Sequence, residues 1–314
     1  MQIPLRIGTR ASKLAQTQSR HMQARVAAAL GAPPEAAEEV APLVFITTTG
    51  DRVQDRRLLE IGGKQLFTKE IEEALLDGRV DLAVHSMKDV PAVQPEGLCI
   101  GAIPEREDPR DAFVSRTCAT LAELPEGARL GTASLRRQAQ CLALRPDLEI
   151  VMLRGNVDTR LRKLDEGECD AILLALAGLR RLGMESVVAE RLDPVASPPA
   201  PGQGALALQC RSGDPVEQFL QGLHHAGTAV AVAAERGALE ALEGSCRTAI
   251  GAHARIEGDF LSLIVEALTP DGRTRWRREG RTRLGAQAEA DARALGLALG
   301  LEVKAEAGDR LVGI

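Results

Sequence analysis

The sequence predicts an α/β fold of two hinged domains with mixed sheets, followed by a small α+β domain, and three observations predict it. The first two thirds alternate short apolar runs with helical patterns, the βα alternation of a parallel or mixed sheet. Two stiff connectors, Ile103 to Pro109 and Ser197 to Gly202, interrupt that alternation and read as hinges. From Ile250 onward the pattern changes to alternating strands and one Ala-rich helix.

The elements follow in order. Leu5 to Gly8 is a predicted strand, and Ser12 to Leu30 carries a helical pattern. Val40 to Thr47 reads as the next strand. Thr68 reads as the cap of a helix whose first turns carry Glu70, Glu72 and Glu73, favourable at the positive helix end. Leu82 to Val84 returns to the sheet. A second unit starts near Asp111 with Ala112-Phe113-Val114. It continues through Arg129 to Thr132 and Ile150 to Leu153, each leading into a helix, and closes with Ala171 to Leu174. After Gly202, Ala205 to Leu208 adds a strand and Val230 to Leu242 a helix. Ile256 then joins Phe260 across Gly258-Asp259, Thr274 to Arg278 forms a strand around Trp276, and the last helix runs near Ala286 to Leu299. The expected domains are 1–104 plus 203–222, 105–202 and 223–314.

Composition narrows the function. Apolar residues make up 45% of the 314 and aromatics only 2%, so aliphatic packing carries the fold. A net charge of −5 argues against a surface that binds nucleic acid or anionic membrane as a whole, so any basic site is local. The amino terminus lacks the apolar core of a signal peptide, and no apolar run reaches the length of a membrane span, which points to a cytoplasmic protein. Six cysteines lie far apart without a Cys-x-x-Cys pair, which suggests neither a metal site nor a disulfide framework.

Two features carry chemistry. Asp89 follows the apolar run Leu82-Ala83-Val84, and Pro91 keeps Val90 extended, so a carboxylate falls at the carboxyl end of a strand, where open α/β sheets bind ligands. A turn or capping role beside Lys88 is the structural alternative. Arginines gather at the predicted strand-to-helix junctions: Arg10 after the first strand, Arg136 and Arg137 after the strand at Leu130, Arg154 and Arg160 after Leu153, and Arg180 and Arg181 after the fourth. A helix amino terminus with an adjacent arginine is a clamp for carboxylate or phosphate, and its repetition predicts a polyanionic ligand. No phosphate-binding Gly-x-x-x-x-Gly-Lys-Ser/Thr loop occurs, and Gly202-Gln203-Gly204 lacks the third glycine of a dinucleotide fingerprint, which makes carboxylates the simpler anion.

Five motifs in register give a more specific reading. His85-Ser86-Met87-Lys88-Asp89-Val90-Pro91, Gly131 to Gln138, Arg154 to Leu161, Gly202-Gln203-Gly204-Ala205 and Glu243-Gly244-Ser245-Cys246-Arg247 occur in the order found in the hydroxymethylbilane synthase, or porphobilinogen deaminase, family. The chain resembles that family over nearly its whole length. The resemblance implies two periplasmic-binding-protein-like α/β domains and a small α+β domain. It also implies a transferase of tetrapyrrole and haem biosynthesis, cytoplasmic and monomeric, with no nucleic-acid or membrane partner. Such an enzyme joins four porphobilinogen units head to tail with loss of ammonia and releases hydroxymethylbilane.

Matched motif by motif, Cys246 would carry a dipyrromethane cofactor through a thioether, as a soft thiolate adds readily to an electrophilic methylene. Without the resemblance it reads as a buried structural thiol. Lys88, Thr132, Ser134, Arg136, Arg137, Arg154, Asn156 and Arg160 would hold the cofactor, and Arg10, Ser12, Phe67, Arg154, Arg181 and Gln203 the substrate. Arg136 and Arg154 would also help at the reacting unit. Asp89 would face pyrrole nitrogens, stabilising the cationic centres that form as ammonia leaves and moving a proton. Arg52 to Gly63 corresponds to a mobile loop over the site, with Phe67 near the terminal pyrrole; an ordinary surface loop with Phe67 in the core is the alternative. Lys13, Gln209 and Ser245 depart from the family's common proline, acidic residue and glycine. A non-catalytic carboxylate receptor shares the hinged arrangement, but Cys246 in a third domain favours the enzyme. A nucleic-acid reading is weaker, because stacking aromatics are nearly absent.

Overall fold

The computed structural model describes residues 3–52, 66–242 and 248–311. Among these, one compact unit comprises 3–52, 66–107 and 205–229, and a second comprises 108–204, 230–242 and 248–311. The loop expected over the site, Arg52 to Gly63, lies outside the described residues except for Arg52, as does the whole cysteine motif, 243–247.

The first unit is built on strands β1 (Ile7–Arg10), β2 (Leu43–Ile46), β3 (Leu82–Ser86) and β4 (Leu98–Ala102), with β10 (Leu206–Arg211) arriving much later in the chain. Their order is β2-β1-β3-β10-β4. β1 runs parallel to β2 and β3, while β10 pairs antiparallel with β3 and β4. Helices α1 (Lys13–Ala29), α2 (Ala37–Val40), α3 (Thr49–Arg52), α4 (Lys69–Leu76) and α8 (Pro215–Leu220) accompany them. Ser12 caps α1 by accepting from the Ala15 N–H at 3.3 Å, and Met22 and Val26 bury one helical face with Ile7, Leu82 and Leu208.

Two local expectations are corrected. The strand expected from Val40 to Thr47 is confined to β2, since Pro42 has no N–H to donate and α2 occupies the residues before it. Thr68 precedes α4 without a side-chain capping bond, because its φ of −121° and ψ of −29° lie outside the extended cap geometry.

The second unit repeats the sheet plan. β5 (Asp111–Ser115), β6 (Arg129–Gly131), β7 (Glu149–Val151), β8 (Ala171–Ala175) and β9 (Glu190–Arg191) lie in the order β7-β6-β8-β5-β9, again with one strand, β5, antiparallel to its neighbours. Helices α5 (Leu135–Leu144), α6 (Val157–Asp165) and α7 (Leu176–Arg181) follow β6, β7 and β8.

A third sheet belongs to the same unit. Its strands β11 (Ala249–Glu257), β12 (Phe260–Leu268) and β13 (Arg275–Arg283) form an antiparallel meander turned at Gly258, whose φ of +59° suits glycine. Helices α9 (Ala226–Ala241) and α10 (Ala288–Ala307) complete the architecture. The strands are longer than the sequence suggests, since β13 is an arginine-rich edge strand, with Arg275, Arg277, Arg278, Arg281 and Arg283, whose polarity masks its length. Described α9 residues pack against α10 through small residues: a Cβ on Gly296 would lie 2.0 Å from the Ala234 carbonyl oxygen.

One carboxylate organises this unit. Asp111, 1% exposed at the start of β5, accepts from Arg136 Nη1 at 2.7 Å, Arg137 Nη2 at 2.7 Å and Gln203 Nε2 at 2.9 Å. Arg136 Nη1 also donates to the Gln140 Oε1 and the Pro198 carbonyl, and Arg137 Nη1 to the Leu173 carbonyl. Gln140 Nε2 reaches Glu266 Oε1 on β12 at 3.0 Å, and Arg275 Nε donates to the other oxygen of Glu266 at 2.5 Å. The network thus ties β5, α5, the connector at 198–203 and the third sheet together. Burial opposes the charge on Asp111, but the two guanidiniums outweigh it and hold the carboxyl far below the usual carboxylate range.

Two outcomes follow from this packing. Gly296→Ala should lower stability by about 1–3 kcal/mol through overpacking, read from the urea midpoint. Asp111→Asn should cost about 3–5 kcal/mol at neutral pH, because two buried guanidiniums lose their counter-charge. The folded pKa of Asp111 is depressed, so its contribution is complete above the unfolded value near 3.9 and is lost as the pH falls toward the folded one. Urea titrations should therefore show the gap between parent and variant shrinking below about pH 4.

Candidate active site

In the first unit the site begins where β3 ends. Leu82, Ala83, Val84 and His85 are buried, and the chain then makes a tight turn over Met87–Asp89. The Met87 N–H donates to the Ala205 carbonyl at 3.0 Å, and Val90 N–H closes the turn onto the Met87 carbonyl at 3.1 Å. Met87 and Val90 point inward with 1% and 2% exposure, which leaves Lys88 exposed and Asp89 half-buried between them. Val90 is extended, at φ −85° and ψ 127°, as a residue before proline should be. A carboxylate is thus presented at the carboxyl end of a central strand, as expected.

Arg10 ends β1 beside the capped start of α1. Its Nη2 lies 2.5 Å from Asp51 Oδ1, and its guanidinium sits over the Phe67 ring, 4.2 Å from the centroid. Burial works against the charge of Asp51, yet the bonds from Arg10 and from Thr48 hold its carboxyl below the usual range. Gly50 makes room for this arrangement: a Cβ there would lie 2.3 Å from the Phe67 ring. Phe67 is therefore half-buried against backbone and cation alike.

In the second unit two helix starts carry the expected polar residues. Ser134 caps α5 by accepting from the Arg137 N–H at 3.4 Å, and Thr132 Oγ1 accepts from the Ser134 N–H at 3.1 Å. Asn156 caps α6 by accepting from the Thr159 N–H at 2.8 Å. Arg154 precedes that cap, and Arg160 Nε donates to the Gly155 carbonyl at 2.8 Å. Gly155 has φ +118° and would crowd Thr159 with any side chain, so the tight approach to α6 requires glycine. Burial, with repulsion from Arg137 and Arg154, pushes Arg160 down to about 10. Arg137 and Arg154 thus lie close enough to Arg160 to oppose its charge.

The remaining expected residues are placed differently. Arg136 and Arg137 lie in the first turn of α5 as expected, but their guanidiniums turn to Asp111 in the interior. Arg180 and Arg181 occupy the last turn of α7, not a helix start, because that helix is only six residues long. Arg181 Nη2 donates to the Gly204 carbonyl at 2.6 Å. Gln203, 1% exposed, divides its amide N–H groups between Asp111 and the Pro109 carbonyl. Cys246 lies outside the described residues. Sequence reasoning missed Asp51 and Asp111; for Asp111 the available signal was a charged residue directly before the apolar run Ala112-Phe113-Val114.

Comparison with known proteins supplies the family. Residues 5–218 match the porphobilinogen deaminase, dipyromethane cofactor binding domain, and residues 229–305 match the porphobilinogen deaminase C-terminal domain. A porphobilinogen deaminase of Phenylobacterium zucineum is 66% identical over 98% of this chain and 98% of its own. One from Caulobacter vibrioides is 64% identical over 99% and 98%. Among solved structures, a periplasmic substrate-binding protein of an ABC transporter from Coxiella burnetii matches 74% of this chain and 96% of its own, with 16% identity and a TM-score of 0.43. With both domains matched and near-complete coverage by relatives, the chain belongs to the porphobilinogen deaminase family, which polymerises porphobilinogen with a dipyrromethane cofactor in tetrapyrrole biosynthesis.

Proposed function

We propose that Asp89 is the catalytic carboxylate, that Cys246 anchors the cofactor through a thioether, and that the arginine-bearing helix starts hold its acetate and propionate groups. The reaction is that of the family: porphobilinogen units are joined head to tail with loss of ammonia, and hydroxymethylbilane is released. The observation that supports the carboxylate-binding assignment is the placement of Arg154 and Arg160 around the capped start of α6, where Arg160 Nε donates to the Gly155 carbonyl and Asn156 caps the helix.

That donor set fits a polycarboxylate. Arg154 and Arg160 would bind carboxylates beside the α6 cap, where Asn156 orients the first turn, and Thr132, Ser134 and Lys88 would add hydrogen bonds. Arg136 and Arg137 outnumber the single Asp111 carboxylate between them, so the pair retains a net positive charge behind the site. When bound, the dipyrromethane supplies a nucleophilic terminal pyrrole on which the product is built. Arg10, Ser12, Arg181, Phe67 and Gln203 would receive the incoming unit, with Arg10 able to exchange Asp51 for a substrate carboxylate. Asp89 would set its negative charge beside the pyrrole nitrogens as positive charge develops there, and would accept and return a proton.

We further infer a cytoplasmic monomer without a nucleic-acid partner. Among the described residues no helix is long and apolar enough to cross a membrane, and the five described cysteines are free thiols, as a reducing compartment leaves them. Burial raises the Cys141 thiol to about 12 and pushes Cys99, Cys169 and Cys210 upward as well. The net charge of −5 supports the absence of a nucleic-acid partner.

Intact mass tests the anchor. Protein produced with substrate available should exceed its sequence mass by two linked pyrrole units, and Cys246→Ala should not; an unmodified, folded parent chain removes the assignment. Asp89→Ala should keep that added mass while turnover falls by about 10²–10⁴-fold. An active Asp89→Ala takes the carboxylate out of the mechanism.

A further inference from the structure

Behind the Asp89 turn lies a chain of side-chain amides that the reaction as described does not use. Pro91, two residues after Asp89, has a carbonyl that can only accept, and Gln94 Nε2 donates to it at 3.0 Å. The amide of Gln94 is thereby oriented, and its Oε1 accepts from Gln209 Nε2 at 2.9 Å. The same Gln209 nitrogen faces Glu72 Oε1 on α4 at 3.4 Å, so Gln209 Oε1 is left to face His85 Nε2 at 3.0 Å. His85 Nε2 therefore carries the proton and donates. His85 sits in β3, four residues before Asp89. Every donor and acceptor in the series is fixed by the carbonyl at its end.

The backbone supports the same geometry. Gln209 on β10 is in register with Ala83 on β3, and Ala207 with His85. Its side chain consequently reaches diagonally along one face of the sheet to the imidazole. Gln209, Glu72 and His85 are 0%, 4% and 5% exposed, so water does not replace a lost partner cheaply. Burial, reinforced by Arg10 on β1 and opposed by the Gln209 bond, lowers His85 to about 4, so the imidazole stays neutral around neutral pH. Burial also raises Glu72, the acidic group that faces the series from α4.

We propose that Gln209 is a positioning residue for Asp89: a single amide holds His85 before the catalytic turn and, by way of Gln94, the Pro91 carbonyl after it. The turn is pinned on both flanks from one point on β10. A carboxylate at 209 could accept from His85 but could not donate to Gln94, so glutamine at this position selects a two-sided clamp. The inference rests on the assignment of Asp89 as the catalytic carboxylate.

The test uses cofactor-loaded enzyme and three substitutions. Gln94→Ala removes only the Pro91 branch, at a half-buried loop position that leaves the sheet intact. It should lower kcat about tenfold, with the added cofactor mass, KM and the melting temperature near those of the parent, because misplacement of a reacting group acts on turnover. Gln209→Leu cuts both branches and should lower kcat on the order of 10²-fold. Gln209→Glu should lower kcat and add to its pH profile an ionisation above about 4, as the new carboxylate between Glu72 and His85 stabilises the imidazolium against the opposing charge of Arg10. Parent-like kcat in a folded, cofactor-loaded Gln94→Ala overturns the proposal, as does a Gln209→Glu pH profile identical to that of the parent. Asp89→Ala, measured alongside, separates the two ideas: if it is active, the assignment of Asp89 fails, whereas an inactive Asp89→Ala beside a fully active Gln94→Ala rejects only the clamp.

Discussion

The buried ion pairs around Asp111 are the constraint on which the second unit depends. Two guanidiniums from consecutive residues of α5 close on one carboxylate at the head of β5, and Gln203 adds a bond from the connector. Such a group is costly to bury and costlier to leave half-paired. Once formed, it fixes the first turn of α5, and with it the Ser134 cap and Thr132. It also fixes the start of β5, which lies between β8 and β9 and runs antiparallel to both. Through Gln140 and Glu266 the same network reaches β12, so the third sheet is held to the unit by polar bonds rather than by apolar area alone. Glu235 on α9 repeats the device on a smaller scale, accepting from the Gly202 N–H and the Ala254 N–H.

Each unit uses charge differently. In the second, burial lowers the proton affinity of Arg160, and the like charges of Arg137 and Arg154 lower it further. In the first, Arg10 already has a carboxylate partner in Asp51 and a ring partner in Phe67. An incoming acid there competes with an existing ion pair.

Much of this was legible from residues. The run Leu82 to Val84 followed by Asp89 and Pro91 located a carboxylate at a strand end, since an apolar core and a proline both leave local marks. The one cap read from the sequence, Thr68, lacks the backbone angles to act as one, whereas the capping bonds of Ser12, Ser134 and Asn156 appear only once the helix starts are fixed. What escaped depended on distant partners. Arg136 and Arg137 looked like free clamps because the carboxylate that takes them lies 25 and 26 residues earlier. Arg180 and Arg181 looked like helix-start residues because nothing local shows that α7 ends so soon. Gln209 registered only as a departure from a family habit; its meaning lies in β10 joining the first sheet beside β3.

The buried cysteines acquire a significance of their own in an enzyme of this chemistry. Losing ammonia from porphobilinogen makes an electrophilic methylene at every cycle, and thiolates are good traps for such carbons. With their proton affinities raised by burial, Cys99, Cys141, Cys169 and Cys210 remain thiols at neutral pH. Packing thus serves as a protecting group for these four sulfurs while the reaction generates an alkylating carbon nearby.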